Sequence, residues 1–230
     1  MDEISCSRDK VFDLILNKRG VLIQVKKGIQ IDHKHQVEKN MLKVATAECF
    51  THGLIAREIH AFSQGYEGEF GCCYLSHDHE SNLSSDKPNP DISVVCGIFV
   101  PTLSGLKNNL KINAPQPYKV IKGVKVYEEN YDKQVAVLMA NAVREISKAD
   151  IGIGTTAGIG RGGIAISTNE FTIITTSGYY ANLTAPCSSQ LLKRQEQGVK
   201  KALDLFFAVL NDDMGKIMDY DDISLKMNSN

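Results

Sequence analysis

Apolar residues are spaced along this chain in two rhythms. Leu42 to Ala47 is a short apolar run of the kind that forms a buried strand, and it ends in a small, tight segment. Leu54, Ile55, Ile59 and Phe62 follow at helical spacing, which predicts a helix over Thr51 to Phe62 with Thr51 as its cap. Ile92 to Val100 is rich in β-branched residues and stops at Pro101. Tyr118 to Tyr127 reads as a strand pair around Gly123. From Asp132 to Ser147, Val135, Leu138, Met139, Ala142, Val143 and Ile146 make one apolar stripe, with Asp132 placed to cap it. Ile151 to Gly154 starts a buried strand, and Ile164 to Ser167 with Phe171 to Thr176 forms a hairpin. The last helix is capped by Ser188 or Ser189. It turns Leu192, Gln195, Val199, Ala202, Phe206 and Leu210 inward and Lys193, Arg194, Lys200 and Lys201 to water. Strands alternating with helices predict an α/β fold, a mixed sheet with flanking helices.

Residues 1–40 have a different texture. Val11 to Leu16 and Val21 to Val25 suggest a hairpin across Asn17 to Gly20, followed by the polar stretch Asp32 to Asn40. The expected organisation is an N-terminal appendage over 1–40, one α/β domain over 41–215 and a C-terminal tail over 216–230. Ser76 to Asp91 is polar and rich in Ser, Asp, Asn and Pro, hence a loop.

Composition narrows the function classes. The 230 residues are 43% apolar and 23% charged, as in a globular protein. Lys and Arg number 26 against 27 Asp and Glu, so no basic surface points to nucleic acid. Trp is absent and aromatics are 7%, which leaves no stacking platform for bases. No apolar run approaches the ~18 residues of a membrane span. The charged N-terminus does not resemble a signal peptide, so the expected location is the cytoplasm with reduced thiols.

Six cysteines stand at positions 6, 49, 72, 73, 96 and 187, with no C-x-x-C pair and no zinc-finger spacing. Cys49 is set apart by its surroundings, Thr46-Ala47-Glu48-Cys49-Phe50-Thr51-His52-Gly53. A strand hands over to a helix there. A helix N-terminus favours a thiolate, and its free amides can hold an oxyanion. His52 is near enough in sequence to act as base or partner. The plainer alternative is a buried cysteine at a tight turn. Gly158-Ile159-Gly160-Arg161-Gly162-Gly163 spells G-x-G-x-x-G, but a hairpin follows it instead of a helix, so it is no dinucleotide fingerprint. Its glycines, Thr155, Thr156 and Arg161 could still cradle a phosphate or carboxylate, or simply form a tight turn. His77-Asp78-His79-Glu80 reads as a solvated charged turn, since a full metal ligand set is not visible. His33 and His35 have less support still, and no metal is expected.

Two segments carry a resemblance to known families. Thr46 to Gly53 resembles the Thr-Ala-Glu-Ser-Cys-Thr-Gly-Gly opening of the CinA C-terminal, nicotinamide-nucleotide amidohydrolase fold. Ala149-Asp150 to Gly160 resembles its second signature, with order and spacing agreeing over most of 41–210. The longer runs Ala-Thr-Ala-Glu-Cys-Phe-Thr-His-Gly, Arg57 to Phe62 and Asp150 to Gly160 resemble more closely the HcgF family of methanogens, which begins near Met41. Residues 1–40 and the stretch His77–Asp86 depart from its pattern. The HcgF resemblance implies a role in assembling the iron-guanylylpyridinol cofactor of [Fe]-hydrogenase. Guanylylpyridinol would be the ligand, with no tightly bound cofactor. Cys49 would form a thioester with its carboxylate after adenylation by the partner HcgE. It implies Cys49 as the nucleophile. By position, His52 and Thr51 are the expected catalytic companions of Cys49, and Glu48, Thr155, Thr156, Gly158, Gly160 and Arg161 the expected ligand contacts. A homo-oligomer stays open. So do two other functions: pyridine-nucleotide amidohydrolase, against which Cys in place of Ser speaks, and a non-catalytic nucleotide-binding module.

Overall fold

The computed structural model describes residues 12–16, 22–26, 41–66, 68–70 and 91–228. The chain divides into two compact units, 1–40 and 41–230. In the first, strands β1 (Phe12–Leu16) and β2 (Leu22–Lys26) pair antiparallel, as the apolar runs predict. His33, His35 and the run His77 to Glu80 lie outside the described residues.

The second unit is α/β, built on a six-stranded mixed sheet flanked by helices. Its elements follow in the order β3 (Leu42–Glu48), α1 (Leu54–Ser63), β4 (Ile92–Phe99), α2 (Leu103–Asn109), β5 (Lys119–Ile121), β6 (Val124–Val126) and α3 (Glu129–Ser147). Then come β7 (Ile151–Thr156), β8 (Ile159–Gly160), β9 (Gly163–Ser167), β10 (Phe171–Thr175), β11 (Ala181–Asn182), α4 (Ser188–Leu210), α5 (Met214–Met218) and β12 (Ser224–Met227). The sheet order is β12-β10-β9-β7-β3-β4. Strand β3 runs parallel to both β4 and β7, and the remaining pairs are antiparallel. The β5–β6 hairpin and the short β8–β11 pair stand apart from it.

Alternation along β3 divides the interior into two cores. Val44 faces one side, where Ile153, Ile164, Ile166 and Ile173 meet α1 and α4 through Ile55, Ile59, Phe206 and Leu205. Ala45 and Ala47 face the other, against Val135, Met139 and Val143 of α3 and Leu106 of α2. Strand β7 shows why its alternate residues are glycine. A Cβ on Gly152 would lie 2.1 Å from the Ala140 carbonyl oxygen, and one on Gly154 would lie 2.1 Å from that of Ala136. Helix α3 therefore lies against the bare backbone of β7, with Ala136 and Ala140 at the contact.

Several expectations are corrected. Residues 216–230 are not a tail: β12 pairs with β10 along Phe171–Ile174 and forms the sheet edge. Helix α1 begins at Leu54, not Thr51, because His52 and Gly53 both take positive φ and block an earlier start. Helix α3 begins three residues before Asp132, which is buried inside its first turn. Leu138 and Ile146 of its stripe are exposed, while Val135, Met139 and Val143 are fully buried. Helix α4 is preceded by Cys187, and neither Ser188 nor Ser189 caps it. Helix α2, which the sequence pattern does not announce, is capped by the Thr102 hydroxyl accepting from the Gly105 amide at 3.0 Å. Among the described residues, no helix is long and apolar enough to cross a membrane.

Candidate functional site

Strand β3 carries Glu48 to the end of the sheet, and the chain turns there. The Glu48 side chain is fully buried and caps α1 from outside the helix. Its Oε2 accepts from the Ile55 amide at 3.2 Å and its Oε1 from the Ala56 amide at 2.9 Å and the Thr46 hydroxyl at 3.0 Å. A carboxylate on the first amides of a helix is the arrangement that the helix dipole favours. Both carboxylate oxygens of Glu48 are therefore engaged inside the chain, and Glu48 does not line the cavity described next. Thr51 is likewise buried, with its hydroxyl 2.7 Å from that of Thr155. The Thr155 hydroxyl also accepts from the Cys49 amide at 3.3 Å. Thr51 and Thr155 thus brace the turn from behind, and neither lines the cavity.

Cys49 is 5% exposed, yet it lines a cavity of about 350 Å³. Phe50 and His52 share that wall. Phe99 and Pro101 follow β4, Ile121, Lys122 and Val124 come from the β5–β6 hairpin, and Leu191, Arg194 and Gln195 project from α4. The lining is mostly apolar. His52 is exposed, with its ring edge-on to Phe99 at 5.4 Å and its Nδ1 2.8 Å from the Gln195 side-chain nitrogen. With that amide donating, the imidazole proton sits on Nε2. The structure therefore places Cys49 and His52 on one cavity. Among the described residues, the amide of Phe50, which lines the cavity, has no acceptor, so it is available to an oxyanion beside the thiol.

The glycine turn behaves differently from the expectation. Its amides do hold carboxyl groups, but these are the chain's own. The Gly158 amide donates to Asp132 Oδ2 at 2.8 Å, and the Arg161 amide to Glu129 Oε2 at 2.9 Å. The Arg161 guanidinium is forked onto Glu129 as well, at 3.0 and 2.6 Å. That hydrogen bonding holds the Glu129 carboxyl below its usual range. The carbonyls of Gly158 and Gly160 accept from Arg194 Nη1 at 3.1 and 3.0 Å, together with that of Ala181 at 3.0 Å. Thr156 is fully buried. Of Thr155, Thr156, Gly158, Gly160 and Arg161, none lines the cavity; the turn contributes Ala157 alone.

Three buried charged residues were missed by sequence reasoning. Arg194, expected on the wet face of α4, is 2% exposed because its Nη1 anchors the glycine turn, and its Nε has no partner. Lys125 is 1% exposed and donates to the Val100 carbonyl at 2.8 Å. Burial pushes its ammonium below the ordinary lysine value, while Cys49 and Asp132 pull it back. Asp132 is fully buried, and burial raises its carboxyl to about 7 against the pull of the Gly158 amide, Arg194 and Lys125. A long-range contact has no periodic signal, so none of the three was legible in advance. Among the described residues, no cluster of three His, Cys, Asp or Glu is arranged to hold a metal ion.

Comparison with known proteins bears on what this cavity is for. Residues 41–210 match the family described as FeGP cofactor biosynthesis protein HcgF. The chain belongs to the HcgF family. A UPF0254 protein of Methanopyrus kandleri is 46% identical over 180 residues, covering 78% of this chain and 93% of its own. A UPF0254 protein of Methanothermobacter thermautotrophicus is 45% identical over 172 residues, covering 75% of this chain and 98% of its own. One from Methanocaldococcus jannaschii is 37% identical over 170 residues, covering 74% and 97%. Membership in the HcgF family implies a role in biosynthesis of the [Fe]-hydrogenase cofactor. The matched span begins with β3 and contains every residue named at the cavity.

Proposed function

We propose that Cys49 accepts the activated carboxyl group of guanylylpyridinol as a thioester during assembly of the [Fe]-hydrogenase cofactor. One observation carries the reading: Cys49, in a family-matched strand–turn–helix segment, lines a mostly apolar cavity. The volume of about 350 Å³ is at the small end of ligand pockets, so it suits the pyridinol ring and its acyl arm. The nucleotide would extend past Lys122 and His52 at the wall.

The substrate arrives as an acyl adenylate made by the partner HcgE. The Cys49 sulfur attacks the acyl carbon, an S–C bond forms, the S–H proton is released to solvent, and the C–O bond to the adenylyl phosphate breaks. AMP leaves with the bonding electrons. The amide of Phe50 would meet the oxygen of the tetrahedral intermediate. Apolar walls at Phe99, Ile121 and Leu191 disfavour the water that would hydrolyse the thioester.

Intact-protein mass spectrometry tests the reading. The full chain mixed with adenylated guanylylpyridinol gains the acyl mass, and hydroxylamine removes it. Cys49→Ala gains nothing. An adduct of equal yield in Cys49→Ala overturns the assignment.

A further inference from the structure

We propose that Arg194 is the anion-binding residue of the Cys49 cavity, and that the free edge of its guanidinium takes a phosphate group of the ligand. The inference rests on the reading of the cavity as the place where an adenylated nucleotide ligand is held. That ligand carries two phosphates, one in its guanylyl part and one in its adenylyl leaving group. The chemistry Arg194 offers is the same for both.

Arg194 is 2% exposed, yet it lines the cavity beside Cys49, Phe50 and Gln195. A guanidinium has five N–H donors in a fixed fork. Two of them, on Nη1, are spent on the carbonyls of Gly158, Gly160 and Ala181 at 3.1, 3.0 and 3.0 Å. Among the described residues, the other three have no acceptor. Nε is buried without a partner, and no hydrogen bond leaves from Nη2. Nε and Nη2 form one edge of the group, and such an edge grips two oxygens of a phosphate at once. Fixing Nη1 to the glycine turn also fixes the direction of that edge. The guanidinium carbon lies over the Phe50 ring, 5.8 Å from its centre.

The charge is as unmatched as the donors. Among the described residues, no carboxylate forms an ion pair with Arg194. Asp132 is the acid whose field reaches it, but burial raises that carboxyl to about 7, so at neutral pH a large part of it is uncharged. Anchoring three carbonyls calls for hydrogen-bond donors, not for a cation. A buried cation with unused donors is costly, and an anion from the ligand meets both the charge and the donors. His52 and Lys122, on the same wall, are exposed to water and gain less from an anion. The carboxyl group of the ligand arrives as an acyl adenylate and carries no charge of its own, which leaves phosphate as the anion.

Titrating the wild-type full chain with AMP and GMP tests the site, with adenosine and guanosine as the uncharged counterparts. Two signals are read: the NMR resonance of Arg194 Nε–H, and the rate of Cys49 alkylation by iodoacetamide, followed by peptide mass. A nucleotide is expected to shift the resonance. With a Kd of about 1 mM, about 10 mM of it slows alkylation about ten-fold, and the nucleoside does neither. An effect of AMP alone assigns the phosphate to the leaving group, and an effect of GMP alone assigns it to the guanylyl part. Arg194→Gln keeps an amide for the carbonyls and loses the charge. Binding is expected to weaken about ten-fold, so protection falls to about two-fold. Undiminished protection in Arg194→Gln overturns the proposal, and so does a nucleoside that protects as well as its nucleotide. Should Arg194→Gln fail to fold, the wild-type resonance decides: unmoved by both nucleotides, it overturns the site. Neither readout needs a thioester. A phosphate-dependent shift without thioester formation sinks the acyl-transfer reading alone, and a thioester in a chain whose Arg194 ignores both nucleotides sinks the anion site alone.

Discussion

Asp132 gives the residue scale its sharpest consequence. It sits in the first turn of α3, its Oδ2 takes the Gly158 amide at 2.8 Å, and its Oδ1 has no partner. Burial raises this carboxyl from 3.8 to about 7. Over the interval between those values the folded chain keeps a proton that the unfolded chain has released. Stability therefore falls as pH rises through that interval. Asp132→Asn keeps an acceptor for Gly158 and does not titrate. Its stability relative to wild type is expected to rise between pH 5 and pH 8, by on the order of 2 kcal/mol. Urea unfolding at the two pH values measures it, and a wild type that gains on the variant with pH would show the carboxylate held charged by Lys125 and Arg194. Legibility at this scale followed locality. Cys49 could be singled out because the strand, the turn and the helix that frame it are neighbours in sequence. Arg194 looked solvated because Lys193 precedes it, but three carbonyls from the β8–β11 region draw it inward. Lys125 looked like one of three hairpin lysines, and only tertiary packing distinguishes it.

At the scale of the element, the junction between β3 and α1 depends on one carboxylate. Glu48 holds the amides of Ile55 and Ala56 from a fully buried position, with no side-chain cap at Gly53 to replace it. Glu48→Ala leaves both amides without that acceptor and is expected to cost about 2–4 kcal/mol. Glu48→Gln keeps one acceptor oxygen and costs less. Chemical denaturation of both variants measures the pair, and a loss under about 1 kcal/mol in Glu48→Ala would mean that water caps the helix instead. Strands β3, β4, β7, β9 and β10 were legible because short apolar runs with turn residues between them have few other outcomes. Helix boundaries were less so. Thr51 has the chemistry of a cap, but Thr155 takes its hydroxyl. Helix α2 spans seven residues and buries Leu106 alone, too little apolar spacing to register. The glycine turn was recognised as an anion-binding shape, which it is. That Asp132 and Glu129 already fill it depends on α3 crossing behind the turn, and no local pattern encodes that crossing.

For the molecule as a whole, the question is what residues 1–40 contribute. Among the described residues, the larger core runs from Leu42 to Ile223 and the smaller from Ala45 to Ala149. The family match also starts at 41, while it ends at 210, short of β12. The segment after 210 is nonetheless built into the sheet. Burial alone would raise the Asp222 carboxyl, but its bonds to Lys201 and Thr176 hold it well below the usual range. Those bonds tie the C-terminal segment to α4 and β10. The natural boundary for a self-sufficient unit is therefore 41–230 and not the span of the family match. A chain of residues 41–230 is expected to unfold cooperatively, with a midpoint within about 3 °C of the full chain. It is also expected to be alkylated at Cys49 at the same rate. Calorimetry and mass spectrometry on the two chains decide it. A shortened chain that melts much earlier, or whose Cys49 reacts at a different rate, would make residues 1–40 part of the working structure.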